Sequence, residues 1–275
     1  MSTADIRRRP VPVVVWIALL VAVPASADYR DLGMAYLTPE GRTEVKLFAS
    51  HFRGDQYFDE DGLHRPGDDG AWNAWILECR RGLTNRIEAH WNLWRQSVRI
   101  IPADGSPASS RTGWTRAGLG ARVALPGWPV LLTADASTPL LSNGERFPYL
   151  AENSLLLSAG MEADTDIPGG RVGFGTSAVY RADLSAAADR DIRLIWRACV
   201  EADVTARWTL IAAADGRVTL SGGEDLVSHR YTQLSAGAKW QALRHLQLEA
   251  LAAVMGEGKN AGAGHGFSAG LRTDF

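Results

Sequence analysis

Histidine, serine and clustered carboxylates are the side chains with which a chain of this kind would do acid–base or nucleophilic chemistry. Their spacing here supports little of it. The six histidines are His51, His64, His90, His229, His245 and His265. No two stand at the spacing by which a helix offers paired imidazoles to a metal. His64, His229 and His265 fall in segments that read as long loops on one side of the molecule, where solvated histidine is the simpler reading. His51 or His90 with a serine would make the nucleophile–base pair of a lipid hydrolase, but no nucleophile motif surrounds any serine. Asp55, Asp59, Glu60, Asp61, Asp68 and Asp69 crowd one stretch. Carboxylate oxygens suit a hard cation, yet Asp59-Glu60-Asp61-Gly62 lacks the spacing of a full calcium loop and reads as a solvated acidic loop. The expectation is a protein without catalytic residues, metal or cofactor.

The remaining charges follow a different rule. They recur at every second residue, alternating with apolar side chains, as on a strand with one wet face and one greasy face. Ile87, Ala89, Trp91 and Leu93 alternate with Glu88, His90 and Asn92. Ala117, Leu119, Ala121 and Val123 alternate with Arg116, Gly118, Gly120 and Arg122. The same reading places Glu78, Arg80, Glu162, Arg193, Arg197, Glu201 and Lys239 on polar faces, together with Glu44, Lys46, Asp135, Asp164, Arg171, Glu249, Arg272 and Asp274. Both signs are present, which fits internal ion pairs better than the one-sign rings of a strongly selective pore. Cys79 shares the parity of Trp75 and Leu77, whereas Cys199 shares that of Arg193 and Arg197. Sulfurs on opposite sides of a wall cannot meet disulfide geometry, so no bond is expected.

Stepping along the chain, twelve such alternating segments are expected, at 43–52, 71–82, 86–99, 112–125, 130–141, 154–164, 171–183, 192–203, 206–214, 231–243, 246–255 and 266–275. The connections alternate in length. Long ones are expected at 53–70, 100–111, 142–153, 215–230 and 256–265, with a middling one at 184–191. Short ones fall at Leu83-Thr84-Asn85, Pro126-Gly127-Trp128-Pro129, Pro168-Gly169-Gly170, Val204-Thr205 and Arg244-His245. A soluble sandwich has no reason to alternate in this way; a membrane barrel does. The fold class expected is therefore all-β, a closed antiparallel transmembrane β-barrel of about twelve strands. Trp128, Trp208, Trp240 and Phe275 would form one aromatic girdle, and Trp75, Tyr180, Tyr231 and Phe267 the other.

The two ends agree. Arg7-Arg8-Arg9, the apolar run at 11–23 and Ala25-Ser26-Ala27 read as a cleaved signal peptide of residues 1–27. Asp28, not a cysteine, immediately follows the expected cleavage site, which argues against a lipid anchor. Residues 28–42 would be a short periplasmic segment, a small plug, and residues 43–275 the barrel. The closing run places Gly270 on one face and ends on aromatic Phe275 on the other, the pattern of an insertion signal read by barrel-assembly machinery. The net charge of −2 argues against nucleic acid as a partner. The partners expected are outer-membrane lipid, the assembly machinery and a small-molecule solute, in the bacterial outer membrane.

Four short stretches carry a family resemblance. They are Thr38-Pro39-Glu40-Gly41-Arg42, Tyr57-Phe58-Asp59-Glu60-Asp61-Gly62, Arg81-Gly82-Leu83-Thr84-Asn85-Arg86 and Gly258-Lys259-Asn260-Ala261-Gly262-Ala263-Gly264. In order and position they resemble outer-membrane barrels of the MetA-pathway-of-phenol-degradation type, a family of transporters distantly akin to fatty-acid channels. The resemblance implies a channel or uptake protein for a small hydrophobic or aromatic solute. The alternatives are a non-transporting structural or surface-interaction barrel and, behind it, an outer-membrane lipid hydrolase. The segment before the first strand is too short for the full hatch that the fatty-acid channels carry.

Overall fold

The computed structural model describes residues 36–140, 154–184, 190–222, 229–259 and 261–275. The expected signal peptide, the start of the N-terminal segment and the expected loop at 142–153 lie outside the described residues. Twelve strands run in chain order: β1 (Thr43–Phe58), β2 (His64–Thr84), β3 (Ile87–Ile101), β4 (Ser109–Ala124), β5 (Val130–Pro139), β6 (Ser154–Ile167), β7 (Gly170–Asp183), β8 (Arg190–Asp203), β9 (Trp208–Gly222), β10 (Arg230–Leu243), β11 (Leu246–Lys259) and β12 (Ala261–Asp274). Each pairs antiparallel with its chain neighbour, and β12 closes on β1 in the register Phe48↔Gly270 and Glu44↔Asp274. Closure satisfies the backbone groups of both edges, which is the condition for a sheet to sit in lipid.

The tight turns use local chemistry. Thr84 Oγ accepts the amides of Arg86 and Ile87, and Thr205 Oγ accepts those of Arg207 and Trp208 at the equivalent turn before β9. These hydroxyls mimic a turn carbonyl. Gly169, between β6 and β7, takes φ 74°, a conformation that side chains with a Cβ avoid.

At the other end the strands run further than their sequence pattern indicates. The stretch 53–70, expected as a loop, is mostly strand. β1 continues to Phe58 and β2 begins at His64, leaving residues 59–63 as the turn. The expected loop at 256–265 is likewise hairpin, since β11 reaches Lys259 and β12 starts at Ala261. β9 extends through Asp215 and Arg217 to Gly222. A tilted strand needs only about 10 residues to cross the hydrocarbon, and β2 has 21. Half of β2 therefore stands beyond the membrane belt.

Inside and outside alternate throughout. Lipid-side positions include Leu47, Trp91, Leu119, Leu157, Phe174, Val200, Leu210, Leu234 and Val254, all substantially exposed. The stacked indoles of Trp208 and Trp240, 5.8 Å apart, mark the end with the tight turns. Tyr231, expected in the outer girdle, instead points inward and is buried. It shares the parity of Gln233 and Ser235, which also face the lumen. Trp114 takes a girdle place instead. An unpaired residue, Thr115, shifts the β3–β4 register between Trp94 and Arg95, and the indole emerges outward.

Candidate functional site: the lumen

The inward side chains divide into layers. Nearest the tight turns lies an ion-pair belt. Glu44 accepts from Lys46 Nζ at 3.0 Å and from Arg272 at 2.6 Å. Arg80 Nε lies 3.0 Å from Glu78 and 3.9 Å from Glu88. Arg122 bridges Glu88 at 3.3 Å and also holds Glu162. Four carboxylates (Glu44, Glu78, Glu88, Glu162) thus face four cations (Lys46, Arg80, Arg122, Arg272). Glu88 has no exposed surface at all. A buried charge of this kind persists only when paired and hydrogen-bonded.

The N-terminal segment enters this belt. Tyr36 donates its hydroxyl to Glu44, and its ring lies under the Arg272 guanidinium at 4.3 Å. Its carbonyl accepts from Arg122 at 3.0 Å. The Thr38 amide donates to Glu88 at 2.6 Å, and Glu40 bridges Gly82 in parallel. The same carboxylates that pair across the wall therefore also grip Tyr36 and Thr38.

Around the rest of the lumen, β3–β10 carry a second set. His90 meets Asp135 at 2.5 Å, with Ser158 Oγ at 3.3 Å from the same carboxylate. Arg116 donates to the carbonyl of Ser154 at 3.0 Å and to Ser137 Oγ at 3.2 Å. Glu201 accepts from Lys239 at 2.5 Å, and Arg197 lies 3.5 Å from Asp215. Asp191 is held between Arg181 at 2.5 Å and Arg193 at 2.7 Å. All ten residues expected to line the lumen point inward: Glu78, Arg80, Glu88, Arg116, Arg122, Glu162, Arg193, Arg197, Glu201 and Lys239. The structure joins them in separate clusters, with Arg80, Glu78, Glu88, Arg122 and Glu162 in one and Glu201–Lys239 in another.

Sequence reading missed Arg181, Asp191, Asp215 and Arg217. Asp215-Gly216 reads as a turn, but Gly216 pairs with Trp196 and lies under its indole, where a Cβ would come within 2.7 Å of the ring. The period-two signal was nonetheless present, since Asp215, Arg217 and Thr219 alternate with Gly216, Val218 and Leu220.

The outer half of the lumen on β10–β12 and β1–β3 is apolar. Phe52, Phe58, Trp72, Val98, Ile100, Tyr231, Met255, Ala261 and Ala263 form one buried cluster, and Phe48, Ile76 and Trp94 form a second. Glycines make room for these rings. A Cβ on Gly270 would meet Phe48 at 2.7 Å, and one on Gly258 would meet Phe58 at 2.6 Å. Gly270, expected as part of the insertion signal, thus also seats a lumenal ring. Phe275 exchanges both backbone hydrogen bonds with Thr43 and leaves its ring outside, largely exposed. Between Lys46, Phe48, Lys239, Glu249, Gly270 and Arg272 remains a gap of about 20 Å³, room for a single water.

Cys79 faces outward, Cys199 lies buried in the lumen, and both are free. Among the described residues His51 contacts an amide rather than a serine. Its Nδ1 lies 2.8 Å from Asn73, and it is Asn73 that donates to Ser97 at 3.1 Å. The amide therefore stands between this imidazole and the Ser97 hydroxyl. His64 and His265 lie on β2 and β12 rather than in loops, and His229 is buried.

No protein-family model matches the sequence, and no curated protein matches it as a relative. Solved structures do match in fold. An outer membrane channel from Pseudomonas putida F1 superposes with a TM-score of 0.72 over 89% of this chain and 99% of that one, at 15% identity. The translocator domain of the autotransporter NalP from Neisseria meningitidis gives 0.53 over 92% and 93%, at 12% identity. The transport unit of the autotransporter AIDA-I from Escherichia coli gives 0.54 over 94% and 97%, at 9% identity. The fold is that of an outer-membrane β-barrel.

Proposed function

We propose that this barrel sits in a bacterial outer membrane, inserted by the assembly machinery through β12, and passes a small hydrophobic or aromatic solute inward. The observation that carries the reading is the apolar inner wall at the outer mouth. Phe52, Trp72, Val98, Ile100, Tyr231 and Met255 offer rings and branched carbons where a sugar pore would offer polar groups. Opposite them Arg181 and Arg193 turn inward around Asp191, with Arg217 beyond them, so an apolar wall faces a polar one across the path of an aromatic solute with a polar end. Residues 36–38, gripped by Glu44, Glu88 and Arg122, act as the inner stop. The likeness in fold to an outer membrane channel supports the assignment without naming a solute. A non-transporting barrel is the second reading, favoured by the closely paired belt around Glu88.

Flux into liposomes tests the proposal. The mature protein should admit a small aromatic acid faster than a sugar of equal mass, and deletion of residues 28–41 should raise both rates severalfold. Equal exclusion of both solutes, before and after the deletion, assigns the non-transporting reading.

A further inference from the structure

The outer wall formed by β2, β3 and β4 carries cations that no described residue neutralises. Arg95 and Arg99 lie on the same outward face of β3, four residues apart and both exposed. Among the described residues neither has a hydrogen-bond or ion-pair partner. Other outward arginines at this end are paired: Arg53 grips Asp69 through two bonds of 2.8 and 3.1 Å, and Arg230 meets Glu257 at 3.2 Å. Arg95 is paired in register with Trp75 on one side and Trp114 on the other, each about half exposed. Below it on the same face come Leu93, Trp91, Ala89 and Ile87, the greasy belt. Above and beside it come Ser97, Asn73 and His51, linked in a hydrogen-bonded row.

This sequence of layers fixes the depth. An arginine facing lipid at mid-bilayer is strongly unfavourable, and the penalty fades at the interface. Tryptophan marks that same interface. Arg95 and Arg99 therefore stand at the headgroup level of the outer leaflet, with the acyl chains below them against Leu93, Leu77 and Leu119. A guanidinium there, weakly hydrated and with its donors in a planar fork, matches a phosphate oxygen pair. The two cations are about 13 Å apart along the strand, far enough to hold separate phosphates.

We infer that the β2–β4 outer wall is a binding site for a phosphate-bearing lipid headgroup of the outer leaflet, held by Arg95 and Arg99. The inference rests on membrane insertion and not on transport.

Native mass spectrometry of the full-length folded protein in detergent tests it, with bisphosphorylated lipid A and its dephosphorylated form as probes. The wild type should bind the phosphorylated form preferentially. Arg95→Gln with Arg99→Gln should weaken that binding roughly 30-fold, about 5-fold for each charge removed. Arg95→Lys with Arg99→Lys should keep most of it, which also controls for folding, and Arg230→Gln on the far wall should leave it unchanged. Equal binding of the two lipids, or undiminished binding by the Gln pair, overturns the site. Displacement of the lipid by millimolar inorganic phosphate also overturns it, because the pocket would then be one for free anions.

Discussion

The lower and upper parts of the β1–β3 wall are built on opposite rules. Near the tight turns, Leu47, Leu77 and Trp91 face out while Glu44, Lys46, Glu78, Arg80 and Glu88 face in. Further along the same three strands, Phe52, Trp72, Val98 and Ile100 face in while Arg53, Asp69, Asn73 and Arg99 face out. Parity is continuous; only polarity reverses. The solvent explains the reversal. The lower part meets hydrocarbon outside and must put its polar groups inside. The upper part meets headgroups and then water on its outer face and so turns its apolar side chains inward. A single sheet crosses the boundary between the two without a break, and the row His51, Asn73, Ser97 marks the crossing.

The first way to break this comparison is to remove one group from each part. Arg122→Met leaves Glu88 and Glu162 without their shared cation. Stranding a buried charge costs about 3–5 kcal/mol, and the loss should appear as a lower urea midpoint for the whole barrel. The same variant frees the Tyr36 carbonyl, so proteolysis near residues 36–42 should accelerate. Trp72→Ala empties part of the upper core at a comparable cost of about 3–5 kcal/mol. Its damage should stay local, with protease nicking at residues 59–63 and little change in the barrel's resistance to detergent-induced unfolding. Global unfolding by Trp72→Ala would mean that the two parts form one cooperative unit.

A second, smaller test moves the same charge to two heights. Leu119 lies outward in the belt, 67% exposed, and Leu119→Arg should destabilise the barrel by roughly 2–4 kcal/mol. Ser97→Arg lies at the crossing and should cost about 0–1 kcal/mol. Equilibrium unfolding from lipid vesicles measures both. Equal penalties would place the membrane boundary elsewhere.

The lower part was legible in the sequence because the bilayer enforces strict alternation. Glu88, Arg122, Leu119 and Trp91 sort correctly on period two alone. The upper part was not, for two reasons. Its polar outer face, Arg53, Asp69 and Arg99, resembles loop composition when lipid is assumed outside. Its glycines, such as Gly258 and Gly264, resemble turn residues, yet they serve close approach. A Cβ on Gly264 would come within 2.2 Å of the Arg53 carbonyl oxygen and 2.9 Å of the Phe52 ring. The grip of Arg122 and Glu88 on residues 36–38 joins positions up to 86 apart in the chain, a distance that no local pattern reports.

The finest difference between the two parts concerns acid. At the tip of the upper part, Asp59 Oδ1 accepts the amides of Asp61 and Leu63 at 3.0 and 2.9 Å, and its other oxygen accepts from Arg65 at 2.7 Å. The Arg65 hydrogen bond, with the Leu63 and Asp61 amides, holds the Asp59 carboxyl below its ordinary range. A carboxyl lowered by folding stabilises the turn fully above its unfolded value, about 3.9, and that stabilisation fades as pH falls through the folded value. Amide exchange at Asp61 and Leu63 should therefore be flat from neutral pH down to about 4 once intrinsic exchange rates are divided out. Below that their protection should drop, while the barrel stays folded. Asp59→Asn keeps an acceptor for the two amides but loses the ion pair with Arg65, so its turn should be modestly looser at neutral pH and should lack the acid-dependent step. A step of the same size in Asp59→Asn would show that another group sets the acid response at this end.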